Sequence, residues 1–147
     1  MFTYVCFGTN HLERAIRFYD AVLGELGLGR CDTSGEPNWK GWAGWGTYLD
    51  HGAQEIALWV CEPFDGKPAT AGNGTMVALQ AASWAAVDGF HAAALANGGT
   101  SEGAPALRPQ YNRDFYAAYV RDPDGNKLAA VCRGFVERPI SAGLRSA

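Results

Sequence analysis

The sequence has no apolar run near the ~20 residues that a bilayer-spanning helix needs, so no membrane association is expected. Its opening stretch, MFTYVCFGTNHLERA, lacks a basic segment followed by an apolar one, so no signal peptide is expected and the cytoplasm is the expected compartment. It lacks a surplus of positive charge: 12 Lys and Arg against 15 Asp and Glu give a net charge of −3, which leaves no electrostatic footprint for nucleic acid. There is no phosphate-binding glycine loop. Histidine is scarce, with only His11, His51 and His91, and no Ser/His/Asp or Cys/His arrangement can be read from their spacing. Charged residues are also sparse at 18%, below the usual ~25%, whereas 48% are hydrophobic; a chain of 147 residues can therefore bury a real core, and disorder is excluded for most of it.

Four cysteines are scattered at positions 6, 31, 61 and 132, with no CxxC pair and no histidine at zinc-ligand spacing. Cys6, Cys61 and Cys132 lie in apolar runs and read as small buried hydrophobes. Cys31 lies in a polar stretch and reads as a free thiol, and no disulfide framework is expected.

What the sequence does contain is an internal repeat. At a shift of 72, Thr3 meets Thr75, Val5 meets Val77, Phe18 meets Phe90, Ala21 meets Ala93, Leu23 meets Leu95 and Gly27 meets Gly99. Chance would supply about two such identities over that stretch. At a shift of 71, Tyr48 meets Tyr119, Val60 meets Val131 and Cys61 meets Cys132.

Each half has the same order of elements. Residues 2–8 form a short apolar run that predicts a strand. Asn10 with Glu13 three residues on has a capping-box pattern, and apolar residues at helical spacing predict a helix over 11–24, ended by Gly27 and Gly29. Strands are predicted at 43–50 and 55–61. In the second half a strand at 75–81 precedes Ser83 as N-cap, and a helix closes at Asn97-Gly98-Gly99. Strands at 115–121 and 127–133 follow, joined by the turn DPDGN. The spans give a module at about 1–64, a linker at 65–74, a second module at about 75–133 and a tail at 134–147, with 1–133 as one domain. The predicted class is α+β: two side-by-side units of strand, helix and two or three strands, helices outside and a cup within.

This order resembles the vicinal oxygen chelate superfamily, which holds glyoxalases, bleomycin-resistance proteins and extradiol dioxygenases. The resemblance is carried by TNHLERAIRFYDAVLGELGL at 9–28, GNGTMVALQAASWAAVDGFHAAALANGG at 72–99 and FYAAYVRDPDGNKLAAVC at 115–132. It implies paired βαβββ modules forming a curved mixed sheet, and a divalent metal in the cup. The family's ligand positions, carried over residue by residue, fall on Tyr4, Met76, Ala129 and the neighbourhood of Leu58. Alanine and leucine cannot ligate, and a thioether suits divalent first-row metals poorly. The resemblance therefore implies the fold without the metal, and no metal or other cofactor is expected.

Strand alternation extends the candidate cup lining. Cys6 accompanies Tyr4, Ala78 and Gln80 accompany Met76, Val131 accompanies Ala129, and Ile56 and Val60 accompany Leu58. Trp45, Tyr48 and Tyr119 join them as aromatic candidates, while Lys40, Arg108 and Arg113 read as solvated loop charges. The candidate ligand-binding set is Tyr4, Cys6, Trp45, Tyr48, Leu58, Met76, Gln80, Tyr119 and Ala129. The expected partner is a small, largely apolar organic molecule, and the expected assembly is a homodimer, because exposed sheet edges usually end up covered. Two alternatives stay open at this point: an enzyme of the superfamily (a lyase, isomerase or dioxygenase) with a non-standard site using Tyr4 as acid or base, and a structural or regulatory module whose cup is filled.

Overall fold

A computed structural model describes residues 1–134. The tail predicted at 134–147 therefore lies, beyond its first residue, outside the described residues.

The first half contains β1 (Tyr4–Gly8), α1 (Leu12–Gly24), β2 (Trp42–Leu49) and β3 (Gln54–Cys61). The second contains β4 (Val77–Gln80), α2 (Trp84–Ala96), β5 (Thr100–Leu107), β6 (Tyr116–Arg121) and β7 (Lys127–Cys132). The architecture is α+β with two mixed sheets, of order β1-β3-β2 and β4-β7-β6-β5. In each, the opening strand runs parallel to the closing strand and the other contacts are antiparallel.

The helices form where the apolar spacing predicts. Ala15, Phe18, Tyr19, Val22 and Leu23 of α1 are buried, a single stripe at helical period. Val87, Phe90 and Ala94 do the same on α2. One apolar cluster joins the halves, with Phe18, Trp45 and Leu58 from the first and Phe90, Val120 and Leu128 from the second. Ser83 caps α2 by accepting from the Ala86 N–H at 3.1 Å.

The start of α1 differs from expectation. Its N-cap is His11, with no side-chain cap bond. Asn10 is taken by the linker instead: its Nδ2 donates to the Ala69 carbonyl at 3.1 Å and its Oδ1 accepts from the Ala69 N–H at 2.7 Å. A strand ladder also appears that the spacing did not signal. The edge strand β5 carries Gly103 and Pro105 and pairs with β6 through two register shifts, as glycine and proline dictate in a strand. Its counterpart in the first half is a bare bridge, Arg30 to Trp45.

The halves are locked through the turn between β6 and β7. Tyr19 donates its buried hydroxyl to Asp122 Oδ2 at 2.7 Å. Asp122 also accepts from Asn126 Nδ2 at 2.8 Å and from the N–H groups of Asp124 and Asn126 at 2.9 and 2.8 Å. Asp124 accepts from the Thr9 hydroxyl at 2.6 Å and pairs with Arg14 at 2.8 Å. Partial burial pushes the Asp124 carboxyl up, but the bonds from Thr9, Asn10 and Arg14 outweigh it and hold it below the usual range.

Candidate functional site

The sheet is in two parts because β1 and β4, the opening strands of the two halves, face each other without pairing. Between them lies a cavity of about 570 Å³. One wall carries Phe2, Tyr4, Trp45, Ile56 and Leu58; the other carries Met76, Val77, Ala78, Leu79 and Gln80. The volume suits a small organic molecule, whose usual pockets span ~300–1,000 Å³. The polar side chains in the lining are few: the Tyr4 hydroxyl, the Gln80 amide, the Thr3 hydroxyl and the Trp45 indole. The indole N–H is already bonded to Asp20 Oδ1 at 2.9 Å, so Trp45 offers the cavity only its ring.

Five of the nine candidate residues meet here: Tyr4, Trp45, Leu58, Met76 and Gln80. The other four lie elsewhere. Tyr119 and Ala129 are register partners on one face of the second sheet, and Ala129 is fully buried. Tyr48 stacks edge-on against Trp39 and Trp59, at 5.5 and 5.4 Å between ring centroids.

Cys6 shares a sheet face with Tyr4 as expected, but it is exposed rather than buried. Its sulfur is turned toward Cys61, Sγ to Sγ 3.6 Å. Partial burial of that sulfur and the neighbouring Cys61 push the Cys6 thiol up to about 12.

The expected pairing of Leu58 with Tyr4 on one face is corrected by the register. Tyr4 stands opposite Ala57, and Leu58 stands opposite Val5 on the face that packs into the core. The Thr9 N–H reaches the Cys61 carbonyl as the Ala81 N–H reaches Val131. The opening elements therefore repeat at 72, but the closing strands repeat at 70. Trp59, not Leu58, is the counterpart of Ala129, since one residue of slip moves a side chain to the other face. Leu58 still reaches the cavity, from the core side. Val60 does not line it, and Phe2 does; one more step of the alternation from Tyr4 would have found Phe2. Leu28, in the segment after α1, also lines it and had no sequence signal.

None of the three histidines lines the cavity. His51 Nδ1 meets Glu36 at 2.6 Å and His91 Nε2 meets Ser101 at 2.8 Å, while His11 begins α1.

The profile of the Glyoxalase/Bleomycin resistance protein/Dioxygenase superfamily matches residues 2–130. The chain belongs to this superfamily. A glyoxalase/bleomycin resistance protein from Albidiferax ferrireducens has a crystal structure 38% identical to it, with TM-score 0.76 over 91% of this chain and 99% of that one. A glyoxalase/bleomycin resistance protein/dioxygenase family enzyme from Burkholderia phytofirmans shares the fold at 19% identity and TM-score 0.65, covering 90% of this chain and 98% of the other. The fosfomycin resistance protein FosX from Mesorhizobium loti does so at 14% and 0.58, covering 91% and 92%. No curated protein matches.

The glyoxalase superfamily's metal does not fit the residues present. The positions that would hold it carry Tyr4, Met76, Ala129 and Trp59, of which only the tyrosine is an oxygen donor. Among the described residues no three His, Cys, Asp or Glu side chains come together as a metal site. A catalytic metal needs about three protein ligands.

Proposed function

We propose that this glyoxalase-superfamily protein binds a small, largely apolar organic molecule in the cavity between β1 and β4, without a metal. The observation that carries the reading is the cavity itself: about 570 Å³, walled by aliphatic and aromatic side chains, with Tyr4 and Gln80 on opposite walls as polar handles. Apolar contact supplies the binding energy and those two groups fix the orientation. The outer edge of β5, unpaired among the described residues, supports a homodimer, in which a second copy covers it.

The neutral fluorophore N-phenyl-1-naphthylamine tests the cavity. Saturable one-to-one binding is expected, with stabilisation of about 2.7 kcal/mol at a concentration ~100 times its Kd. Ala78→Trp should fill the space and abolish it. An unchanged Tm with no saturable fluorescence overturns the reading. Sedimentation equilibrium at micromolar concentration tests the assembly; a single species at 15.7 kDa would refute the dimer.

A further inference from the structure

Six cations among the described residues, Arg14, Arg30, Lys67, Arg121, Lys127 and Arg133, are answered by carboxylates. Arg108 pairs with none among the described residues. Its Nη2 donates to the Ala104 carbonyl at 2.6 Å. Its Nε–H is buried with no partner among the described residues. An unsatisfied buried donor on a charged group is costly and calls for an acceptor from beyond the described residues.

The surroundings are built to hold the guanidinium in place. Arg108 heads the segment before β6, with its N–H on the Phe115 carbonyl at 2.7 Å and its carbonyl accepting from the Tyr111 N–H at 2.9 Å. The guanidinium lies over the Tyr119 ring, 5.5 Å from its centroid. Gly103 makes this approach feasible: a Cβ there would stand 2.9 Å from the Tyr119 ring and 3.1 Å from Arg108 Nη2. Lys127 Nζ approaches the same ring at 5.8 Å. Glu102 answers both Lys127 and Arg121, at 3.0 and 2.6 Å. Arg121 and Lys127 thus share one carboxylate while Arg108 has none among the described residues, so the patch keeps a surplus of positive charge.

We propose that Arg108, over Tyr119 and beside Lys127, is the recognition point for the carboxylate of a small organic acid. The planar guanidinium fork has the geometry to take both carboxylate oxygens, which a lysine lacks. This site is separate from the cavity between β1 and β4, since none of Arg108, Tyr119 or Lys127 lines that cavity. The two readings therefore stand or fall independently.

The test is NMR titration of the ¹⁵N-labelled protein with benzoate, its uncharged analogue benzamide, and inorganic phosphate, read at the Arg108 Nε–H and the Tyr119 ring. Benzoate should shift both signals saturably and benzamide should not. Arg108→Gln and Arg108→Lys, each with an otherwise unchanged amide spectrum, should weaken benzoate binding about 10–100-fold. Arg17→Gln, on α1, should leave it unchanged. No saturable shift with benzoate overturns the proposal, as does an equal response to benzamide. Phosphate binding more tightly than benzoate overturns the organic-acid assignment, and full binding by Arg108→Lys overturns the role of the fork.

Discussion

Replacing Tyr19 with phenylalanine removes one oxygen from the interior and tests the lock between the halves. The hydroxyl is fully buried and donates to Asp122 Oδ2 at 2.7 Å. Asp122 keeps its bonds from Asn126 and from two backbone N–H groups, so the carboxylate is not orphaned. The loss is then one hydrogen bond to a charged acceptor, about 1.5–3 kcal/mol, which for a domain of this size lowers Tm by roughly 3–10 °C. Asp122→Ala strands several buried donors and should cost more. In a double-mutant cycle the two changes should couple by about 1–3 kcal/mol.

The pH dependence gives a second readout. Burial, then the charge of Asp122, push the Tyr19 hydroxyl well above its ordinary value of 10.0. Above pH 10 the unfolded chain's tyrosine loses its proton while folded Tyr19 keeps it, so the unfolded state binds fewer protons and stability falls. The advantage of wild type over Tyr19→Phe should therefore shrink as pH rises past 10. Urea unfolding monitored by tryptophan fluorescence measures all of this. A Tyr19→Phe protein within about 0.5 kcal/mol of wild type at pH 7 would refute the lock, since changes of that size are ordinary for surface sites.

Gly44→Ala should destabilise by about 1–3 kcal/mol, because the new Cβ would run into the Trp59 ring, which is stacked on Trp39 at 4.3 Å; unchanged thermal unfolding would contradict that contact. Alkylation of Cys6 by iodoacetamide at pH 7 should be slow, since its thiol is pushed up to about 12, and the rate should keep rising with pH beyond 9.0 as the thiolate forms; a plateau near pH 9 by mass spectrometry would refute it. Stability should fall on acidification as Asp124, held below its ordinary 3.8, is protonated, and Asp124→Asn should flatten that fall; equal acid profiles would count against the ion pair with Arg14. Dialysed protein exposed to zinc, nickel and manganese should keep less than one equivalent by elemental analysis; one full equivalent, lost in Tyr4→Phe, would overturn the metal-free reading.

The helices and the closing hairpin were legible because each rests on local chemistry: the stripe from Ala15 to Leu23, the Ser83 cap and the DPDGN turn. What stayed hidden was non-local. Asn10 looks like a cap until Ala69, 59 residues away, claims its side chain. The edge strand β5 is masked by Gly103 and Pro105. The repeat of 71 read from Tyr48, Val60 and Cys61 is met by neither strand: β3 and β7 correspond at 70, while Gly44 of β2 corresponds to Tyr119 at 75. Of the site, the residues on β1 and β4 could be found by alternation alone. Arg108 could not, because nothing local distinguishes a loop arginine with a carboxylate partner from one without.

The turn that locks the halves also sets the order in which the protein can be completed as it is made. A chain grows from its N-terminus at about 5–20 residues per second, so α1 emerges early. Yet the partners of Thr9, Arg14 and Tyr19 lie 103 to 115 residues further on. Until residue 126 has left the ribosome, the first half carries a tyrosine hydroxyl and an arginine waiting for acceptors not yet synthesised. A nascent chain arrested before the turn would hold its first helix without the lock, and a stop codon just upstream of Asp122 would yield a product that no later folding could close.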